Sequence, residues 1–174
     1  MSSIPDLSLP PAAPELGEYS DCNLDDAAFA LYSLADMPES CVQEIASTLE
    51  KEWIKNELGT HLALPAKPTA NFNNKTLEDV ARAHIAMDKK FKPRDDGGAK
   101  GDLSWWPTAF LVIVKQDWKT PGGLLFVFVE DEKGGCPMDK FFFNLGDAYA
   151  MLSSLSFGDE DIADLKEKYS IESR

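Results

Sequence analysis

Residues 105–143 read WWPTAFLVIVKQDWKTPGGLLFVFVEDEKGGCPMDKFFF, and this stretch decides the fold. It contains three short apolar runs built from β-branched and aromatic residues, each bounded by Gly, Pro or Asp. Such runs are typical of β-strands, so we predict strands at about 109–115, 124–130 and 140–143. The runs hardly alternate between apolar and polar residues, which indicates that both faces of the sheet are covered.

The connections between these strands are short, and helical patterns surround them. The turns at 120–123 and 133–137 are shorter than the crossover that parallel strands need, so the sheet is predicted to be antiparallel. Helices are predicted at 24–35, from Pro38 to Gly59, from Thr76 to Pro93, at 145–155 and at 160–169. The predicted fold class is therefore α+β, an antiparallel three-stranded or slightly larger meander packed by about five helices.

The length and the proline content set the domain organisation. A chain of 174 residues is the size of one domain. Residues 1–18 contain four prolines among Ser, Ala and acidic residues. Proline interrupts helices and strands, so this segment is predicted to be a disordered or loosely docked tail. Residues 19–174 are predicted to form a single α+β domain.

The net charge of −13 is distributed unevenly along the chain. Residues 1–60 contain twelve acidic residues and two lysines, a net charge of −10, whereas residues 61–130 carry a net charge of +2. An acidic surface repels phosphate backbones, so we expect no nucleic-acid partner. The same charge is compatible with a basic protein partner, and a small molecule is the other partner to consider.

Hydropathy and cysteine content indicate a cytoplasmic protein. No apolar run reaches the length of a membrane span, and the first 18 residues lack the basic start and apolar core of a secretory signal. The cysteines at 22, 41 and 136 are odd in number and lack metal-like spacing, as in reduced cytosolic proteins. We therefore expect no membrane association and a cytoplasmic location.

None of the motifs that mark nucleotide, phosphate or metalloprotease chemistry is present. The chain has two histidines, His61 and His84, so a three-histidine metal site is excluded. The acidic groups at 130–132 with Asp139, and at 159–161, lack the alternate spacing of a calcium loop and are expected to be solvated. We therefore predict no cofactor and no metal.

His84 is the strongest catalytic candidate in the sequence. It lies between Val80 and Met87 on the apolar stripe of a predicted helix, so its ring is expected to point toward the sheet. Asp88 follows four residues later, one helical turn away, where it can orient the imidazole as a general base. The alternative is a half-buried core histidine with a structural hydrogen bond.

Tryptophans are the candidates for ligand or partner binding. Trp105 and Trp106 follow a Gly-rich loop at the start of a strand and are predicted to form the wall of a ligand pocket. Met87 and Phe91 complete that predicted pocket beside the histidine; the alternative is that the paired tryptophans close the core. Trp118 lies in a hairpin loop between charged residues and is predicted to anchor a protein interface.

Several segments together resemble a known family. They are Asp-Asp-Ala-Ala at 25–28, Thr-Leu-Glu-Asp at 76–79, the strand pair Phe-Leu-Val-Ile-Val and Leu-Leu-Phe-Val-Phe-Val, and Leu-Ser-Ser-Leu-Ser-Phe-Gly-Asp-Glu-Asp at 152–161. On these residues the chain is similar to a family of small, uncharacterised bacterial and fungal single-domain proteins with no assigned function, over residues 20–169. The resemblance implies a single compact domain and carries over no catalytic residue.

Two classes of function follow from the sequence. The first is a small acidic, non-catalytic binding or protein-interaction domain that uses Trp118, the sheet edge or the acidic N-terminal third. The second is a cofactor-free small-molecule-binding protein or enzyme of the lyase or isomerase type, with His84 and Asp88 in the predicted pocket. The absence of catalytic motifs favours the first class.

Overall fold

The computed structural model describes residues 5–19, 21–55, 60–95, 98–130 and 134–171, without the side chain of Ala163. Within these ranges the strands are β1 (Ala28–Ser33), β2 (Ala63–Pro65), β3 (Lys92–Pro93), β4 (Gly101–Asp102), β5 (Trp105–Ile113), β6 (Leu124–Val129) and β7 (Met138–Phe142). The α-helices are α1 (Glu39–Leu49), α2 (Lys51–Lys55), α3 (Leu77–Ala86), α4 (Ala148–Phe157) and α5 (Ile162–Tyr169), and short 3-10 helices lie at Pro14–Tyr19 and Leu145–Asp147. None of the helices in the described ranges has the length and apolar character needed to cross a membrane.

The main sheet is mixed rather than antiparallel. Among the described residues it has five strands in the order β2–β1–β5–β6–β7. β1 runs parallel to both β2 and β5, while β5, β6 and β7 form an antiparallel meander. The fold is α+β overall, but the predicted antiparallel three-stranded meander is wrong, because its strands are only part of the larger mixed sheet.

The predicted helix at 24–35 is also wrong, because this segment contains the central strand β1. Ala27, Leu31 and Leu34 are spaced as on one face of a helix, which explains the error. All six residues of β1 are buried, since the strand lies between β2 and β5. A strand buried on both faces loses the alternation that distinguishes strands from helices. β2 is not predicted from the sequence, and the helix predicted from Thr76 to Pro93 ends earlier, because α3 ends at Ala86 and β3 follows.

Helices lie on both faces of the sheet. α3 packs on one face, where His84 contacts Tyr32 of β1 edge to face. α5 packs on the opposite face, where its Lys166 pairs with Asp139. Asp139 shares a face with its cross-strand partner Phe128, whereas Tyr32 shares a face with Val112 and Leu125. Leu125 and Phe128 are three residues apart in β6, so they point to opposite faces. α4 contacts both α2 and α5, so these helices form one layer. α3 begins with a capping box between Thr76 and Asp79.

The N-terminal segment packs beside the outer edge of β7. Ala13 N donates to Cys136 O over 2.9 Å, and Met138 N donates to Pro11 O over 3.3 Å. Leu16 is 1% exposed and belongs to a small apolar cluster with Cys136. From residue 5 onward, the segment that the sequence assigns to a disordered or loosely docked tail thus makes backbone bonds and buries an apolar side chain.

Candidate functional site

His84 is fully buried, and both of its ring nitrogens are hydrogen bonded. Nε2 lies 2.9 Å from the carbonyl oxygen of Trp106, and Nδ1 lies 2.8 Å from the hydroxyl of Tyr32. A carbonyl oxygen can only accept, so Nε2 carries the proton and donates it. Nδ1 is then the acceptor, and the Tyr32 hydroxyl donates to it. The two bonds therefore define one neutral tautomer of the ring.

The bond from His84 compensates for an irregularity in the sheet. The pairing of β1 with β5 shifts between Ala28 opposite Trp105 and Ala30 opposite Phe110. Such a bulge removes regular partners from some backbone groups, and a buried carbonyl without a partner is costly. At this irregularity the imidazole donates to the Trp106 carbonyl. In this position His84 acts as a structural residue that holds β5 to α3.

The electrostatics of the His84 site favour the neutral ring. Burial, followed by the nearby charge of Lys89, lowers the pKa of His84 to about 3. Burial also raises the pKa of the Tyr32 hydroxyl. Since each ring nitrogen already has a protein partner, the imidazole offers no lone pair to a substrate proton.

Asp88 does not orient the imidazole. Its side chain is 76% exposed, and Oδ1 accepts a bond of 2.9 Å from the backbone N of Lys90. That bond, together with the Lys90 charge, lowers the pKa of Asp88. The group that orients the ring is instead Tyr32 of β1, which lies in a segment that the sequence pattern predicts to be a helix. The structure thus separates the two members of the predicted dyad.

The four residues of the predicted ligand pocket are divided between core and surface. Met87, Trp105 and Trp106 are buried, whereas Phe91 is 41% exposed. The Trp106 ring stacks on Phe29 with ring centroids 4.8 Å apart. Its indole N–H has no hydrogen-bond partner within the part of the chain that the structure describes. The tryptophan pair thus packs as the alternative interpretation, a closure of the core, describes.

Lys89 is a buried lysine at the end of α3. Its Nζ donates to the carbonyl oxygens of His84 and Met87, the latter over 2.9 Å. The Tyr19 ring lies on its other side, with its centroid 5.8 Å from Nζ. Burial lowers the pKa of the Lys89 amine to about 8. Because its hydrogens satisfy carbonyls at the helix C-terminus, we assign Lys89 a capping role.

Glu50 and His61 form a polar pair at the start of β2. Glu50 is 3% exposed, and Oε2 accepts from Leu62 N and Ala63 N over 2.8 and 3.1 Å. Its other oxygen lies 2.8 Å from Nδ1 of His61, whose side chain is 55% exposed. Sequence reasoning missed this pair because eleven residues separate its members. The buried carboxylate fixes the backbone of the strand, and the histidine lies at the rim.

Trp118 forms one wall of a groove between the start of α1 and the loop that joins β5 to β6. We call it the Trp118 groove; its volume is about 410 Å³. Its apolar lining includes Met37, Cys41, Ile45 and Trp118, and its charged lining residues are Asp36, Glu44 and Lys119. Trp118 is half-buried and packs against the core, which leaves part of the indole facing the groove.

A second cavity, the polar cleft, includes residues that precede β1, whereas the Trp118 groove includes residues that follow it. The polar cleft is about 310 Å³ in volume and is lined mainly by Asn23, Asp26, Lys90, Lys92, Arg94 and Asp102. Three chain segments meet there: the turn before β1, the residues around β3, and β4 with the two residues after it. Three basic side chains, those of Lys90, Lys92 and Arg94, therefore converge on one cavity.

Acidic side chains do not gather into a metal site in the described ranges, where no group of three or more potential ligands lies together. Asp139 pairs with Lys166 over 2.6 Å, and Glu160 pairs with Lys168 over 3.0 Å. Of the acidic run at 130–132, residues 131 and 132 lie outside the described residues.

Comparisons with known proteins do not indicate a function, so a functional assignment has to rest on the geometry of these cavities. No protein-family model, no curated protein and no solved structure matches the chain. The resemblance to the bacterial and fungal family therefore stays a prediction.

Proposed function

We propose that the protein is a non-catalytic interaction domain whose Trp118 groove binds a basic, partly apolar segment of a partner protein. The observation that carries this proposal is a half-buried tryptophan beside an apolar groove that has carboxylates among its lining residues. The proposal rests on three properties of the groove: apolar contact area, charge and rigidity.

The apolar contact area of the groove is provided mainly by side chains that are only half-buried. Trp118 and Cys41 are half-buried, while Met37 and Ile45 are 8% and 3% exposed and lie behind them. Tryptophan is enriched among the few residues that dominate binding energy, because its ring buries a large area with few rotatable bonds. A volume of about 410 Å³ accommodates one or two partner side chains.

The charge around the groove favours a cationic partner. Asp36 and Glu44 line it, and residues 1–60 carry a net charge of −10. Lys119 already places its Nζ 5.4 Å from the centroid of the Trp118 ring. The indole face therefore accepts a cation, and a partner lysine or arginine can make the same contact. Complementary charge also speeds association and excludes acidic partners.

The groove is preformed by local hydrogen bonds. Gln116 Nε2 donates to Asp36 O over 2.8 Å and so joins the loop to the segment before α1. The loop itself is closed by Thr120 Oγ1 donating to Asp117 O over 2.7 Å. Position 123 requires a glycine, because a Cβ there would lie 2.4 Å from the Trp118 carbonyl oxygen. A rigid site loses less entropy on binding.

The sheet edges are less suitable for strand addition. The N-terminal segment bonds beside β7 through Ala12 and Pro137, and Ile171 N donates to Phe142 O over 3.1 Å. β2 is three residues long and ends at Pro65, which has no N–H to donate. We therefore assign binding to the groove rather than to an edge.

The test uses calorimetry with two synthetic peptides of equal length. One alternates lysine with leucine and phenylalanine, and the other replaces each lysine by glutamate. We expect the intact protein to bind only the basic peptide, because the groove is apolar and acidic. Trp118→Ala should weaken that binding by about 2 kcal/mol or more.

Phe157→Ala is the matched control, because Phe157 is an aromatic side chain that is 57% exposed away from the groove. It should leave the affinity unchanged, and the melting curve of Trp118→Ala should remain close to that of the parent protein. Equal binding of both peptides, an unaffected affinity in Trp118→Ala, or unfolding of that variant would each contradict the proposal.

A further inference from the structure

We infer that the polar cleft binds a small organic oxyanion, a phosphate or a carboxylate, through Lys92 and Arg94. This site is independent of the Trp118 groove, with which it shares no lining residue. The inference combines the charge of the cleft, the frame that holds it and the backbone conformation at Lys90.

The charge of the cleft is opposite to that of the whole molecule. Lys90, Lys92 and Arg94 line it, in a chain whose net charge is −13. Asp102 is one of two carboxylates in the lining, and it accepts bonds from Asn23 Nδ2 over 2.8 Å and from Arg94 over 3.4 Å. Asp102 lies opposite Lys92 in the β3–β4 register, but the two side chains do not form an ion pair among the described residues.

The ion pairs that border the cleft are open to exchange. Lys90 Nζ lies 3.6 Å from Asp88, and these side chains are 63% and 76% exposed. Exposed pairs of this kind contribute little stability, so their cations can turn toward a ligand at small cost. An oxyanion gains charge-assisted hydrogen bonds from lysine and from the planar guanidinium of arginine.

The walls of the cleft are held by backbone bonds. Asn23 N donates to Gly101 O over 2.7 Å, and Leu103 N donates to Asn23 O over 3.2 Å. β3 and β4 pair antiparallel, which places Lys92 opposite Asp102. Gly101 permits this close packing, because a Cβ there would lie 2.4 Å from the Phe91 ring. The cationic side chains thus stand on a preformed frame.

The backbone at Lys90 adopts a left-handed conformation, with φ of 61°. This conformation is unfavourable for a residue with a side chain, and it is held here by the bond from Lys90 N to Asp88. Glycine and asparagine adopt this conformation more readily than lysine does. The lysine at position 90 instead places a cation at the rim of the cleft. The second carboxylate, Asp26, lies in the same lining and suits a hydroxyl on the ligand.

The experiment titrates the full chain with glycerol phosphate and with glycerate, which share hydroxyl groups and differ in the oxyanion. Amide chemical shifts report binding, and sodium chloride at equal ionic strength is the salt control. We expect saturable shifts at Asn23, Lys92 and Ser104 with at least one of the two probes. The probe that saturates at lower concentration identifies the oxyanion.

Lys92→Gln should weaken the binding of that probe about tenfold, because one charge-assisted contact is lost. Lys75→Gln is the matched control, an exposed lysine outside the cleft whose removal should leave the affinity unchanged. Shifts that stay linear, shifts that sodium chloride reproduces, or equal affinities of the Lys92→Gln variant and the parent would overturn the inference.

Discussion

At the scale of single residues, the surroundings of a side chain decide its role more than its type does. His84 and Lys89 are residue types that serve catalysis elsewhere, yet each donates here to backbone carbonyls. Their depressed pKa values result first from burial. Since burial and function both perturb a pKa, geometry has to separate the two cases.

Replacing His84 tests the structural role assigned to it. His84→Leu leaves the Trp106 carbonyl without its donor and the Tyr32 hydroxyl without its acceptor, so the free energy of unfolding should fall by about 1–3 kcal/mol. His84→Gln keeps an amide able to donate and should cost less. Urea denaturation measures both, with Arg82→Gln on the exposed face of α3 as control. A Leu variant as stable as the parent would contradict this role.

Below neutral pH, the dependence of the free energy of unfolding on pH should reflect the protonation of His84. Its pKa is about 3 in the folded chain and 6.5 when unperturbed, so the unfolded chain binds more protons between these values. The free energy of unfolding should therefore fall as the pH is lowered through that window, by at most about 1.4 kcal/mol per pH unit.

The measurement is a series of urea denaturation curves from pH 7 to pH 4 on the parent protein and on His84→Gln. The variant lacks the imidazole, so its stability should depend less on pH. Parallel profiles would show that His84 does not stay neutral in the folded chain.

At the scale of elements, local patterns predicted the longer strands of the meander and several of the helices. The meander strands β5 to β7 and the helices near 76, 145 and 160 were found from runs, caps and stripes. The spacing of Ala27, Leu31 and Leu34 predicts a helix where β1 lies, whereas β5 and β6, which are buried to the same extent, are marked by long runs of β-branched and aromatic residues. β2, β3 and β4 were not predicted, because a strand of two or three residues is too short to show a recognisable sequence pattern.

The N-terminal segment gives a test at this scale. Leu16 is 1% exposed in the 3-10 helix Pro14–Tyr19, so Leu16→Ala should lower the free energy of unfolding by about 2–4 kcal/mol. Glu15→Ala, one residue earlier and exposed, should have little effect. Thermal unfolding compares the two variants, and equal melting temperatures would show that the segment is only loosely docked.

At the scale of the whole molecule, chain topology assembles the candidate sites from distant residues. Trp118 was marked by its position in a charged hairpin loop, but its neighbours Met37 and Ile45 come from before and within α1. The polar cleft likewise joins Asn23 to Arg94. Sequence reasoning identified Trp118 but neither cavity, because contacts between segments that lie far apart in the chain bring the cavity walls together.

The central claim, that the protein binds a basic segment through the Trp118 groove, is tested most directly by fluorine NMR on the chain labelled with 5-fluorotryptophan. Trp53, Trp105 and Trp106 are buried, whereas Trp118 is half-buried at the groove. Addition of the lysine-rich peptide should shift the Trp118 resonance saturably and leave the other three in place. A Trp118 resonance that does not move, or that moves equally with the glutamate-rich peptide, would contradict the account.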